Sequence, residues 1–494
     1  MAKVLLINPN KWGRGITTIW IPSHTAILRA NHHQVELFDC TFYADWTINE
    51  VNYNTKNQQY KPTDYGSYIT YNNGIYNDLA KKISEFKPDI VFWSALSSHI
   101  HGEGEYVNIQ YGYELISNLK NNFVTVTGGL QATANPSLCL QKFPQIDYLI
   151  RGESEFVLTE FANNFFESEG REKINGLAFQ KQDGSIQVNP PQPIIKNMDD
   201  IPPYDYSVFD TQVFYRPYNG KVIKAVDYEL SRGCVYSCQY CVETVIQDYY
   251  GFDETSSRGT LTNAKSYLRN KSAKRIFEEM MLLHKEYSIE LFRCQDTNFL
   301  TIKLEVLKKL ADLINENNPN IKLYIETRPE GINKSSIQLL KRLKVDGVGM
   351  GVELSEQTFR EDKLGRFADQ DKIINAFQLL ANAGIKRTAY NIIGLPEQEE
   401  SSILETIKFN QMLNPDNITV AFYSPYLGTA QQKKSQELNY FDDYEYHVDG
   451  QLRTQTKHSS LSPELLNFYK ANFTYFVRNG FNNLKDKKIE FGIL

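Results

Sequence analysis

The sequence predicts an α/β protein in two parts: an N-terminal doubly wound parallel sheet of Rossmann-like type, then a partial (β/α)6 barrel. Three observations carry this reading. Short apolar runs alternate with helix-patterned segments through residues 1–168. The same alternation restarts at residue 223 and runs to 425. A proline-dense connector, residues 169–222, separates the two stretches. Strand–helix alternation builds parallel sheets covered by helices. Six βα units in about 200 residues suit an incomplete barrel better than one of eight units.

In the first part, 4–8 reads as a buried strand, and 34–40 alternates after a helical stretch at 22–30. Strands at 89–95 (entered through Lys-Pro), 123–129 (ending on two glycines) and 147–150 follow. Helical patterns at 78–86, 111–121 and 156–166 lie among them. Right-handed crossovers place all strand C-terminal ends on one edge, where ligands bind. The polar, Tyr- and Asn-rich segment 49–73 reads as an inserted loop or small lid. In the connector, 176–188 reads as a hairpin around Asp183-Gly184, and the prolines that follow break helix and ladder alike. Barrel strands are expected at 225–230, 290–294, 322–327, 347–353, 388–393 and 418–423, with helices at 273–287, 303–317, 334–343, 371–382 and 401–413. Residues 426–494 form a C-terminal extension expected at the barrel mouth.

Composition narrows the function classes. The chain has 494 residues, 41% of them hydrophobic, a net charge of −6 and no long Lys/Arg run. Nothing in this asks for nucleic acid or an anionic membrane. No stretch approaches the roughly 18 consecutive apolar residues of a membrane helix. The opening residues carry no signal-peptide pattern. A cytoplasmic, reducing location is therefore expected, where clustered cysteines bind metal or react rather than form disulfides.

Cys234, Cys238 and Cys241 follow the first barrel strand in C-x3-C-x2-C spacing. Three thiolates this close can hold a metal centre with one coordination position left for something that is not protein. An iron–sulfur cluster is expected. Zinc is the alternative and would want a fourth ligand, for which Cys294 is the only later cysteine. Cys40 and Cys139 lack partners at metal spacing and read as buried small hydrophobes.

The cysteine pattern, with Tyr240 at its aromatic position and a six-unit barrel around it, resembles the radical SAM superfamily. Further segments agree in order. Residues 292–299 (Phe-Arg-Cys-Gln-Asp-Thr-Asn-Phe) are similar to the D-x-x-F segment of the cobalamin-associated branch. Gly349-Met350-Gly351-Val352-Glu353 is similar to its G-x-E-S strand, with Leu354 replacing Ser. Residues 391–397 resemble I-x-G-L-P-G-E without the second glycine. In the first part, Asp89-Ile90-Val91 with Ser94, Thr127-Gly128-Gly129 and Gly152-Glu153-Ser154-Glu155 resemble the cobalamin-binding domain fused to such barrels. The lower-ligand pattern D-x-H-x-x-G is absent and His99 and His101 do not fit it, so the resemblance implies cobalamin without a protein histidine on cobalt. It covers residues 1–425.

The resemblance implies a [4Fe–4S] cluster on Cys234, Cys238 and Cys241, with S-adenosylmethionine on the fourth iron. An external one-electron reductant would trigger its cleavage to a 5′-deoxyadenosyl radical. Tyr240 and the backbone at Gly394 would lie by adenine. Asp296, Arg328 and Glu353, at successive strand ends, would contact S-adenosylmethionine, with Glu326 on the same face. Ser94, Ser97, Thr127, Gly128 and Gly129 would meet cobalamin. Structural alternatives stand beside these: loop packing for Tyr240, a salt-bridge layer for the charged residues, ordinary turns for the glycines. The expected activity is methylation of an unreactive carbon of a small-molecule or natural-product substrate. Ring formation or rearrangement without methyl transfer is the alternative, followed by a corrinoid-binding protein with structural zinc. A methylthiotransferase would bring three further cluster cysteines, and only Cys40 and Cys139 precede the motif.

Overall fold

The computed structural model describes residues 1–94, 109–117, 119, 122–424, 426–440 and 461–494. Its first sheet has the order β2-β1-β3-β4-β5-β6-β7. Strands β1 (Lys3–Asn8), β2 (Gln34–Asp39), β3 (Ile90–Trp93), β4 (Val124–Thr127) and β5 (Tyr148–Ile150) are parallel. The expected hairpin, β6 (Leu177–Gln180) and β7 (Ile186–Val188), extends this same sheet in antiparallel sense. Val4 and Leu6 pack with Trp20, Leu28 and Phe161 on one face, while Leu5 and Ile7 pack with Ile75, Leu79 and Ile109 on the other. Burial on both faces explains why β1 reads as an unbroken apolar run.

The second sheet has the order β16-β15-β14-β13-β12-β9-β8. Strands β9 (Lys221–Tyr228), β12 (Leu291–Cys294), β13 (Lys322–Thr327), β14 (Val345–Glu353), β15 (Lys386–Ile393) and β16 (Asn417–Phe422) run parallel, as the sequence pattern predicts. The edge strand β8 (Tyr215–Tyr218) pairs antiparallel to β9. Its Pro217 gives no strand signal, and an edge is where a sheet tolerates proline. A short ladder, β10 (Ser231–Arg232) with β11 (Arg269–Asn270), leads into the cysteine loop. Along β13 the residues alternate: Leu323 and Ile325 join the core beneath the outer helices, while Tyr324 and Glu326 line the barrel interior.

Among the described residues the barrel does not close on itself, because β8 and β16 are opposite edges of the sheet. The inserted segment of the first part lies at this seam. Its helix Glu50–Lys56 starts at Asn49, whose side chain accepts from Asn52 N. Glu50 is tied to Arg14 at 2.7 Å, to Asn54 at 2.8 Å and to Tyr60 at 3.0 Å. Gln59 Oε1 then accepts from Val420 N on β16 at 3.0 Å, and Lys61 lies against Gly220 in the β8–β9 turn. Downstream, the helix Pro463–Asn479 begins with Ser462 as cap and proline in its first turn. Its Leu466, Phe473 and Phe476 pack with Ile403, Ile407 and Val420 on the outside of the last βα unit. Residues 426–437, by contrast, lie at the cysteine loop, where Gln431 N donates to Gln239 O. No helix among the described residues is long and apolar enough to cross a membrane.

Candidate active site

The cysteine loop is held from several sides. Gly233 has φ +96°, and a Cβ there would stand 2.8 Å from Tyr267 O, so glycine is required. Gln247 donates to the carbonyls of Cys234 and Tyr236, each at 3.1 Å, and accepts from Ser237 Oγ at 2.9 Å. Ser237 N donates to Gly259 O and Gln239 N to Leu364 O. All three cysteines are free thiols lining one cavity of about 380 Å³. Cys234 and Cys238 are buried and Cys241 half-buried. Burial pushes the Cys234 thiol up to about 12 and raises Cys241 well above its ordinary value. Cations at this loop would therefore displace protons as they bind. Among the described residues no three Cys, His, Asp or Glu side chains converge as ligands of a single ion. Thiolates that each serve a different iron of a cubane need not converge, so the donor set fits a cluster better than zinc.

Charged groups ring the loop. The Arg328 guanidinium stacks 3.7 Å from the Tyr236 ring centre, donates to Cys238 Sγ at 3.4 Å and pairs with Glu330. Glu353 ends β14 in left-handed backbone, φ +61°, at a shift of register against β15. Such irregularities re-aim a side chain. Its Oε1 accepts from Tyr240 OH at 3.0 Å and lies 3.6 Å from Arg366 Nη1. Arg366 also donates to Gly351 O at 2.7 Å. Room for this pair comes from Gly351, where a Cβ would stand 2.2 Å from Glu353 Oε1 and 2.9 Å from Arg366 Nη2. Deeper in the barrel, Tyr390 donates to Glu326 Oε1 at 3.0 Å, and the Tyr324 and Tyr390 hydroxyls are 2.9 Å apart.

The structure thus brings Tyr240, Arg328 and Glu353 together with the three cysteines on one cavity. Asp296 and Gly394 are not among its lining residues. Asp296 Oδ1 accepts from Leu230 N at 3.0 Å and from the backbone and hydroxyl of Ser231 at 2.5 and 2.6 Å, bracing the start of the cysteine loop. Burial raises its carboxyl to about 7. Gly394, φ +81°, donates to Gln398 Oε1 at 2.7 Å and faces Leu466. Sequence reasoning missed Arg366, Gln247 and Arg232. Arg366 and Gln247 follow no spacing rule, and only the position of Arg232 beside Gly233-Cys234 hinted at a role.

The C-terminal edge of the first sheet lies beside the same loop. Gly128 N donates to Ser94 O at 2.8 Å, and Thr127 Oγ1 donates to Trp93 O at 2.7 Å. Ser94 (φ +57°) and Gly129 (φ +99°) turn the chain here, and Gly128 is packed closely, since a Cβ there would stand 3.1 Å from Ile150 O and 3.2 Å from Ser94 O. Ser97 lies outside the described residues, as do His99 and His101. Leu130, just past this edge, packs with Val242, Val245 and Ile246, just past the cysteine loop. The Gly-Glu-Ser-Glu segment joins the two parts. Arg232 bonds Glu153 at 3.3 Å, Glu155 at 2.5 Å and Glu229 at 2.7 Å, and Arg269 bonds Glu153 at 2.7 Å. Burial by itself would raise the Glu155 carboxyl, but the Arg232 charge overcomes it and holds Glu155 at about 2.

Comparison with known proteins agrees with this geometry. Residues 228–409 match the model of the radical SAM superfamily. An uncharacterized methyltransferase from Pyrococcus horikoshii is 27% identical over 359 residues, covering 72% of this chain and 71% of its own length. An anaerobic magnesium-protoporphyrin IX monomethyl ester cyclase from Rubrivivax gelatinosus is 24% identical over 392 residues, covering 77% of this chain and 65% of its own. Among solved structures, the radical S-adenosylmethionine methyltransferase TsrM from Kitasatospora setae, with tryptophan substrate and a SAM analogue bound, superposes with a TM-score of 0.63 at 18% identity. It covers 90% of this chain and 78% of its own. The same protein is also known with cobalamin and a [4Fe–4S] cluster bound. Residues 228–409 thus form a radical SAM domain, and across both of its sheets the chain shares the fold of TsrM.

Proposed function

We propose that this enzyme is a cobalamin-dependent radical SAM methyltransferase acting on an unreactive carbon of a small molecule held inside the barrel. One observation carries the reading: the three-cysteine loop opens on a cavity reaching down the barrel interior, and the ligand edge of the first sheet packs beside that same loop. When bound, cluster and S-adenosylmethionine would supply a 5′-deoxyadenosyl radical, on an electron from an external reductant, and cobalamin a transferable methyl group.

The residues of this chain bind and orient. Cys234, Cys238 and Cys241 would hold the cluster. Arg328, already hydrogen-bonded to Cys238 Sγ, offsets thiolate charge beside it. Glu353 would accept from an ammonium or from ribose hydroxyls, with Tyr240 and Arg366 fixing its carboxylate. Asp296 would act at one remove, by bracing the backbone of residues 230–231. Ser94, Thr127, Gly128 and Gly129 would present the edge that cobalamin approaches.

Anaerobic reconstitution followed by turnover with methyl-labelled S-adenosylmethionine tests this. Stoichiometric iron and sulfide, 5′-deoxyadenosine and label in the product are expected. Stoichiometric zinc with neither iron nor 5′-deoxyadenosine would overturn it. The cyclase relative, similar over 77% of this chain, supports a second reading, ring formation. That reading prevails if 5′-deoxyadenosine forms and the product carries no label.

A further inference from the structure

We infer that the barrel cavity takes a substrate bearing an acid group, carboxylate or phosphate, seated at the end of the cavity remote from the cysteines. This deepens the proposed function and rests on that reading for its placement relative to the cluster.

Charge along the cavity is the first argument. At the remote end the lining cations are Arg14, Lys61, Arg216 and Arg293, against Glu50 and Glu326. At the cysteine end Arg328 and Arg366 face Glu353. Six lining cations face three lining carboxylates, and Asp227 and Glu330, which do not line the cavity, pair with Arg216 and Arg328; this leaves an excess of one positive charge, within a chain whose net charge is −6. The cavity therefore departs in sign from the protein that contains it. A low-dielectric cleft of one sign concentrates ligands of the other.

The second argument is hydrogen bonding in the cavity wall. Arg216 is 2% exposed; its Nη2 holds Asp227 at 2.7 Å, while its Nη1 has no partner. Gln59 is 6% exposed; its Oε1 is taken by Val420 N, while its Nε2 has no partner. Two buried donors without acceptors in one cavity wall are costly unless a ligand supplies the acceptors. Asp227 balances the charge of Arg216 but leaves its Nη1 without an acceptor. It also accepts from Thr17 N at 2.9 Å, Thr17 Oγ1 at 3.1 Å and Gln295 Nε2 at 2.7 Å, and Arg293 lies 3.9 Å from it.

Register places this site below the chemistry. Arg293 pairs across to Tyr324, and Arg328 lies four residues further along from Tyr324 toward the cysteine loop. Four strand residues span about 13 Å, room for the body of a small molecule between an anchored acid and a reacting carbon. The Tyr324 and Tyr390 rings wall that interval. Gln59 and Lys61 come from the inserted segment of the first part, so that segment helps to choose the substrate as well as to close the seam.

Thermal unfolding of the reconstituted full-length enzyme tests the inference with matched probes: 3-phenylpropionate, phenyl phosphate, 3-phenylpropanol and 3-phenylpropylamine. The acids are expected to raise the midpoint and the alcohol and amine to leave it in place; the larger acid shift names carboxylate or phosphate. In Arg293→Gln and Lys61→Gln the affinity for acids should fall on the order of tenfold or more. Lys61 is exposed, so its variant keeps the test open if Arg293→Gln fails to fold. Shifts by alcohol or amine equal to those of the acids, acid shifts unchanged in both variants, or no shift with any probe would overturn the inference. Iron content and 5′-deoxyadenosine, measured on the same samples, separate the two proposals. Their loss with acid binding intact overturns the parent reading alone, and acid-insensitivity with both intact overturns this one alone.

Discussion

The two sheets of this chain are built from the same strand–helix repeat, yet they treat their faces differently. In the first, β1 buries Val4, Leu5, Leu6 and Ile7 against helices on both sides. In the second, only one face meets helices, and the other turns Tyr324, Glu326, Arg328 and Glu353 toward a cavity. A flat sheet stabilises itself with apolar area on both faces. A curled one gives up half of that area and must satisfy polar groups inside. Glycines at 347, 349 and 351 of β14 make the curled interior possible, since a Cβ at each would stand within 3 Å of a neighbouring side chain. The lesson is that the repeat sets the scaffold, while the second face sets whether it can hold a reaction.

The largest expected effect lies on the curled side. Replacing Cys234, Cys238 and Cys241 together by Ala should reduce iron and 5′-deoxyadenosine to background while cobalamin binding at the first sheet persists. Retained iron or 5′-deoxyadenosine would break the division of labour between the sheets.

The junction comes next. Arg232→Met leaves Glu153, Glu155 and Glu229 buried without their shared cation, at a cost of about 3–5 kcal/mol. Urea unfolding measures this. Removing the exposed Lys274, 3.7 Å from Glu278, should leave the curve in place. Equal effects would show that burial does not set the strength of the clamp.

Smaller still is the overpacking of β14. Gly349→Ala would bring a Cβ to 2.4 Å from Tyr390 Oη and should cost about 1–3 kcal/mol. At Gly66, in the inserted segment, nothing lies within 4 Å of a new Cβ, and Ala should be tolerated; urea unfolding of both variants measures the contrast. A tolerant Gly349 would mean that the interior gives way as easily as a surface loop.

The finest contrast is in pH. Burial raises Asp296 in the barrel to about 7 and Asp39 at the end of β2 to about 6. A carboxyl raised on folding binds its proton more tightly in the native state. Its stabilisation is therefore full below the ordinary value near 4 and is lost as pH rises to the folded value. Asp296→Asn should flatten the fall in stability up to about pH 7, and Asp39→Asn only up to about pH 6. Denaturant midpoints across this range check the order, and identical profiles for the two variants would refute it.

Much of the scaffold was legible because burial leaves a periodic trace. The runs at 4–8 and 322–327 and the helix 273–287 match the observed elements to within a residue. The cysteine spacing was legible because a cluster needs its ligands on one short loop. Alternation of Glu326 and Arg328 likewise marked the cavity face. What stayed hidden depends on partners far along the chain: Arg232 meets residues 77 and 79 positions away, and Arg366 meets Tyr240 across 126. No local pattern encodes such pairs. Strand-end position alone did not separate Glu353, whose carboxylate reaches the cavity, from Asp296, whose carboxylate turns to the backbone. That difference lies in a shift of register at Gly351, which periodicity does not reveal.

Gln59, holding the outer edge of β16, has one further consequence. An open strand edge is a template for strands of other molecules, and here it is blocked by a segment from the opposite end of the polypeptide. A barrel severed from the first sheet would expose that template, so the two parts should not be freely interchangeable modules. A fragment starting at residue 203 should form larger assemblies on a sizing column than the full chain does, and a monodisperse monomeric fragment would disprove this.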